Sequence, residues 1–157
     1  MIRAADAADR EAIIAVTRAA FRGEEKAVRI VREVEPAISL VAEEDGEVVG
    51  HVMLSRMRMG ELRPLQLSPL SVHPSRQGRG IGRDLTREAL RRADEAGEPF
   101  VVVLGHPTYY PRFGFQPAAP LGIHGPQDYG DAWMIARLTA WDPSLRGTVE
   151  FPAAFDD

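Results

Sequence analysis

The sequence predicts a mixed α/β (α+β) domain, a central sheet flanked by helices. Three observations carry this reading. Two early stretches and one central stretch repeat apolar residues at helical spacing. Several stretches are short, apolar and rich in β-branched residues, with glycine or proline at their ends. Between one of these strands and the central helix lies a loop of three glycines and three arginines, a strand–loop–helix unit. The chain has 157 residues, which suits one domain over 1–157 rather than two with separate cores.

In order along the chain, Asp6 is placed to cap a helix over 7–21, with Ile13, Val16 and Ala20 on one face and Gly23 beyond its end. A second helix is expected over 24–34, carrying Val28, Val31 and Val34 and stopped by Pro36. Residues 38–43 read as a strand, Asp45-Gly46 as a hairpin turn, and 47–59 as a long return strand with Val52 and Leu54 opposite Met53 and Met57. Residues 65–72 form an apolar strand. A helix over 83–96 follows the glycine loop, burying Leu85, Ala89 and Ala93 and ending at Gly97. Residues 100–104 are a fully buried strand, 109–113 a helical turn, and 132–140 and 148–151 two last strands.

Composition excludes several classes. A net charge of -4 argues against a nucleic-acid partner, which needs a basic field. The basic residues are arginines except for Lys26, and the guanidinium fork suits phosphate. Without cysteine there is no disulfide, thiolate metal site or cysteine nucleophile. The four histidines, His51, His73, His106 and His124, show no ligand spacing, so no metal is expected. No apolar run approaches the ~20 residues of a membrane span, and the start of the chain turns charged at Arg3 and Asp6, unlike a signal peptide. A cytoplasmic location is therefore expected, with no membrane partner.

The densest chemical signal is Leu70-Ser71-Val72-His73-Pro74 followed by Gln77-Gly78-Arg79-Gly80-Ile81-Gly82-Arg83. Glycines let backbone amides point inward without a Cβ in the way. The start of the following helix adds unpaired N–H groups and partial positive charge. Together they make a cradle for a pyrophosphate, and Arg76, Arg79 and Arg83 surround it with fixed charge. A dinucleotide fingerprint fits less well, because the glycines stand two apart. So does a P-loop, because Arg83 and Asp84 replace its lysine and hydroxyl residue. Glycine used only for turning is the alternative, and the flanking arginines argue against it.

Gln77-x-x-Gly80-x-Gly82 resembles the (Q/R)-x-x-G-x-(G/A) motif of the GNAT N-acetyltransferase superfamily. The resemblance implies a mostly antiparallel sheet of six to seven strands, splayed between the fourth and fifth. It implies acetyl-CoA as co-substrate, with Leu70, Ser71 and Val72 beside the pantetheine and backbone amides of Gln77, Gly78, Arg79, Gly80, Ile81, Gly82 and Arg83 on the pyrophosphate. The block Tyr110-Pro111-Arg112-Phe113-Gly114-Phe115 is similar to the family's Y-x-x-x-G-F, which implies that Tyr110 supplies a proton to the departing thiolate. Tyr109 stands one position too far from the Gly-Phe pair for that role. The Y-Y-x-R-F-G-F wording and the tail from Gly147 to Phe155 resemble the bacterial YhbS-like branch. Where that branch often has an acidic residue, this chain has His106.

Other residues read less specifically. His51 is expected as a packed or surface histidine, with a base role as the alternative. Met53, Met57 and Met59 read as core, and Glu43-Glu44-Asp45 as a solvated turn. Ser68 and Ser71 lack partners for serine hydrolysis. Histone-type members of the family carry a glutamate six positions before the residue matching Val72. Here that position is Gln66, which cannot take a proton, so water guided by Glu61 or His51 is the expected route for the amine proton. The acceptor is expected to be a small-molecule or peptide amine, and a homodimer is left open. Two other readings compete: a non-catalytic acyl-CoA-binding module acting as sensor or partner subunit, and a nucleotide-binding domain using the same loop.

Overall fold

In the computed structural model, which describes residues 1–157, Asp6 caps the first helical segment. Its carboxylate accepts from the Ala8 N–H at 2.9 Å, and the Asp9 carboxylate accepts from the Asp6 N–H at 2.8 Å, a reciprocal capping box. One 3-10 turn, Ala7–Asp9, leads into α1 (Arg10–Ala20), which buries Ile13, Ile14, Val16 and Thr17. The next helix, α2 (Lys26–Glu33), is shorter than the spacing predicts. It buries Ala27, Val28 and Ile30, while Val31 and Val34 stay half-exposed.

The strands are β1 (Ile2–Ala4), β2 (Pro36–Glu44), β3 (Glu47–Arg56), β4 (Leu65–Val72), β5 (Phe100–Leu104), β6 (Phe115–Pro117), β7 (Ile123–His124), β8 (Trp133–Arg137) and β9 (Gly147–Thr148). Seven form one sheet in the order β1-β2-β3-β4-β5-β8-β6, antiparallel except for β4 beside β5. That matches the sheet the family resemblance implies. The remaining two, β7 and β9, make a small parallel pair. The β2–β3 hairpin turns on Asp45 and Gly46, both at positive φ (51° and 79°), as a two-residue turn matched to strand twist requires. Glu43 and Glu44 are not a solvated turn. They end β2, and their carboxylates pair with Arg3 (3.4 Å) and Arg76 (3.2 Å).

Strand alternation divides the core in two. Val52, Leu54, Val101, Val103, Met134 and Ala136 face α3 (Ile81–Glu95), where Leu85, Ala89 and Ala93 are fully buried as the spacing predicts. Met53, Phe100, Val102, Trp133 and Ile135 face the other way, toward Ile30 of α2 and toward Val149 and Phe155. Met53, Met57 and Met59 are all buried there as core. The expected strands over 47–59, 132–140 and 148–151 are each cut short. After Arg56 the chain turns, with Met59 and Leu62 exchanging backbone hydrogen bonds. After Arg137, Thr139 is drawn onto the Asp94 carboxylate at the end of α3 (2.9 and 3.0 Å). Only Gly147–Thr148 lies in a ladder, and Glu150 bridges Arg58 alone.

The short edge strand β1 is held by charge as well as by its ladder. Arg3 donates to both oxygens of Asp9, at 2.8 and 2.9 Å, and reaches Glu43. This guanidinium and the Asp6 backbone hold the Asp9 carboxyl at about 2, below its ordinary 3.8. A carboxyl depressed by folding stabilises fully above its unfolded pKa and loses that contribution as pH falls through its folded one. Asp9→Asn should therefore cost about 1.5–3 kcal/mol at neutral pH. In chemical denaturation it should flatten the loss of stability between pH 3.8 and about 2.

Candidate functional site

Strand β4 keeps its antiparallel ladder with β3 from Leu65 to Val72, but it meets β5 only at Leu65–Val101 and Gln66–Val102. Beyond that point β5 keeps only its ladder with β8 on the far edge, and a gap opens between β4 and β5. A bulge marks the divergence. Val52 faces Leu70 and Leu54 faces Leu67, so Ser68 and Pro69 together oppose Met53. Pro69 has no N–H to offer and fits such a position.

One side of the gap is a groove of about 510 Å³ at the start of α3. Leu70, Val72, Gln77, Gly78, Gly80, Ile81, Gly82 and Arg83 line it, all of them expected from the sequence. Gly80 caps α3 at φ 85°, a conformation that favours glycine, and the Arg83 guanidinium folds over it. The amides that open α3 have no carbonyl a turn earlier within the helix and point toward the groove end. Gln77 donates from its side chain to the Val72 carbonyl at 3.2 Å, tying the loop to the strand exit.

Three expected residues do not line the groove. Ser71 alternates to the other face of β4, buried opposite His51. Arg79 projects to solvent. Tyr110 is 9% exposed and packs edge-on against Tyr109 and Phe115, its ring covering Gly105 so closely that no Cβ would fit there. Burial pushes its phenol well above the ordinary value of 10.0. Ala20 and Phe21 at the end of α1, with Tyr109 and Arg112, line the groove from outside the expected set. Tyr109 places its hydroxyl beside Gly82, and Arg112 lies over the Tyr109 ring at 4.7 Å. The aromatic-rich run 109–115 signals the region but not which ring turns outward.

On the opposite side lies a cavity of about 680 Å³, with Gln66, Ser68 and Pro69 of β4 on one wall. The end of α1, the start of α2 and the segment around Phe151 and Phe155 form the others. Phe21 lines both the groove and this cavity, so the two spaces meet at the end of α1. Neither Glu61 nor His51 lines the cavity. His51 lies 1% exposed under α1, with Ser39 Oγ 3.0 Å from its Nε2 and no partner at Nδ1. It is a packed histidine.

The family profile described as an acetyltransferase (GNAT) domain matches residues 1–118, three quarters of the sequence, running from β1 through β6. The chain belongs to the GNAT acetyltransferase family. Two N-acetyltransferases of Escherichia coli K12, both described as uncharacterized, are similar to it. YjhQ is 40% identical over 73% of this chain and 68% of its own length. YhbS is 35% identical over 76% of this chain and 75% of its own. The crystal structure of Escherichia coli YhbS in complex with CoA superposes with a TM-score of 0.90 at 28% identity, covering 100% of this chain and 92% of that one. A GNAT acetyltransferase of Brucella melitensis in complex with acetyl-CoA superposes at 0.81 with 35% identity, covering 99% and 97%. No helix of this GNAT protein is long and apolar enough to cross a membrane.

Burial holds the His51 imidazole at about 4, below its ordinary 6.5. The unfolded chain takes up that proton first on acidification, so this group's contribution is complete above pH 6.5 and is lost as pH falls toward about 4. The loss should amount to about 3 kcal/mol. His51→Gln, which keeps a polar side chain toward Ser39 without titrating, should remove that slope in urea unfolding measured across the interval.

Proposed function

We propose that this GNAT protein, folded as one domain, transfers an acetyl group from acetyl-CoA to a primary amine by direct attack. The observation that carries this is the meeting of an arginine-rimmed groove at a helix start with a separate cavity, at the point where β4 and β5 part. The groove fits the co-substrate. The opening amides of α3, with Arg76, Arg83 and Arg112 nearby, complement a pyrophosphate. Leu70 and Val72 offer an apolar wall, and the β4 edge facing β5 has no ladder beyond Gln66, so its backbone is free to pair with amide groups of a pantetheine arm. Ser71 contributes there through its backbone only. CoA complexes of two similar proteins support this assignment.

Bound acetyl-CoA supplies an activated acyl thioester. The protein supplies proximity and orientation. The acceptor must present a neutral nitrogen, and Gln66 cannot remove its proton. Glu61 and His51 lie away from the cavity and its carboxylates are exposed at the rim, so water carries the proton out. Tyr110 sits against Gly105, next to Leu104, which lines the acceptor cavity at the end of β5. We assign it to the sulfur end, as hydrogen-bond donor to the developing thiolate. Tyr109, beside Gly82, belongs to the phosphate end.

Gly80→Asp should reduce CoA affinity by about 100-fold or more in isothermal titration. Gly80→Ala, which shares the backbone strain without the charge, should lose less. Unchanged affinity in a folded Gly80→Asp protein would remove the groove from CoA binding. Tyr110→Phe should lower kcat by roughly 10²-fold with the KM for acetyl-CoA nearly intact. Tyr109→Phe should act chiefly on that KM. The rate should rise with pH as the acceptor amine deprotonates, and Gln66→Ala, Glu61→Gln and His51→Ala should each cost less in kcat than Tyr110→Phe. A loss above ~10³-fold at Glu61 or His51, with CoA affinity intact, would identify a dedicated base instead.

A further inference from the structure

The cavity opposite the groove is charged as well as aromatic. Glu24, Glu150, Asp156 and Asp157 line it, against a single cation, Lys26. Lys26 lies 2.8 Å from the Asp157 carboxylate, so that pair cancels. Glu24, Glu150 and Asp156 make no ion pair, Arg29 beside Asp156 being spent on main-chain carbonyls, and all three are exposed at the cavity rim. Below them, Phe21, Tyr129, Phe151 and Phe155 supply ring faces and edges suited to a hydrocarbon chain and to a cation near it. The volume, about 680 Å³, suits a small molecule.

A second observation lies at the cavity floor. Gln66 is 3% exposed, and its side-chain carbonyl oxygen has no hydrogen-bond donor. Its in-register neighbour Ser55 has an equally orphaned hydroxyl, so the pair does not satisfy itself. A buried acceptor left unpaired costs about 1–3 kcal/mol. Turning the Gln66 amide toward the cavity presents that oxygen to an entering N–H donor, which recovers the cost. Gln66 is also the last β4 residue paired with β5, at the point where the strands part. A neutral amine there donates one N–H to Gln66 and keeps its lone pair for attack. An uncharged amide does not hold that nitrogen in its protonated form, as a carboxylate would.

We propose that the acceptor is a small diamine or polyamine. One nitrogen, neutral, is oriented by Gln66, and a second, protonated, is held at the rim by Glu24, Glu150 and Asp156. This rests on the reading of the protein as an amine acetyltransferase. It gives the rim carboxylates the task of selecting the substrate by charge, and it disfavours amino acids, whose carboxylate would meet like charge.

Three five-carbon amines that differ only at the far end test it: cadaverine, pentylamine and aminovalerate. CoA release should favour cadaverine over pentylamine by about tenfold in kcat/KM, the sum of two or three exposed ion pairs. Aminovalerate should be poorer still, and added salt should shrink the spread. Glu24→Gln with Glu150→Gln should bring cadaverine and pentylamine within about twofold, chiefly through loss at cadaverine. Gln66→Met should raise the KM of every amine with CoA affinity retained. Equal use of cadaverine and pentylamine by the unaltered protein, or a preference that survives the double substitution, would overturn the inference. Isothermal titration of cadaverine into the CoA-saturated protein separates the two readings. If no amine releases CoA, transfer is refuted, and the cation site then stands only if cadaverine binds and the double variant weakens it. If cadaverine does not bind, the site falls too.

Discussion

A parallel strand pair that lasts only two residues organises this molecule. Antiparallel neighbours in a meander can pair along their whole length, because a hairpin fixes their ends together. Strand β5 arrives by the long crossover through α3, and its far edge is bound to β8 over five positions, which holds it on course while β4 departs from its near edge after two. The bulge at Ser68 and Pro69 bends β4 away at the same level. Groove and cavity both border the resulting gap: α3 opens beside it on one face, the end of α1 and start of α2 close it on the other, and Phe21 touches both spaces. Helix α3 is held in place by its own apolar row on the sheet, so its opening amides are fixed before any ligand arrives.

The two spaces carry opposite charge, although the chain as a whole is only mildly acidic at -4. Arginines cluster at the groove, with Arg76 steadied by Glu44 and Arg112 by the Tyr109 ring. Carboxylates cluster at the cavity rim. On the proposed reading, an anionic CoA and a cationic amine are each drawn to their own side of the sheet and opposed at the other. Fields of this kind steer ligands over about a Debye length. Separation of charge across a thin sheet lets two ligands of opposite sign approach end to end without competing for one site.

Much of this arrangement is legible in the amino-acid sequence. The row Leu85, Ala89, Ala93 and the bounds of β4 and β5 are readable because periodicity and breakers agree there. The glycine loop is readable because its chemistry needs glycine at fixed offsets. Three features are not. Strand β1 and strand β6 have three residues each, too few to show a period, and they owe their existence to neighbours across the sheet. The bulge has a signal, Pro69 within an apolar strand, but the period of two hides a residue inserted into one strand alone. The division of labour proposed for Tyr109 and Tyr110 depends on a 3-10 turn beginning at Tyr110, and a one-residue change in such a turn exchanges which ring faces the groove.

That division bears on where the proton goes. Burial raises the Tyr110 phenol, so Tyr110 remains neutral and protonated through the working range of the protein. A thiol has an ordinary pKa near ~8.5, well below it. Complete transfer of the Tyr110 proton to a departing thiolate would therefore run uphill, and the tyrosinate left behind would be a buried charge without a cation beside it. A hydrogen bond from the same hydroxyl carries neither penalty: it strengthens as negative charge grows on sulfur and weakens again once the thiol takes its proton from water. The sequence resemblance implies an acid, whereas the packing of Tyr110 against Gly105, Phe115 and Tyr109 favours a fixed donor whose contribution is preorganisation rather than proton delivery.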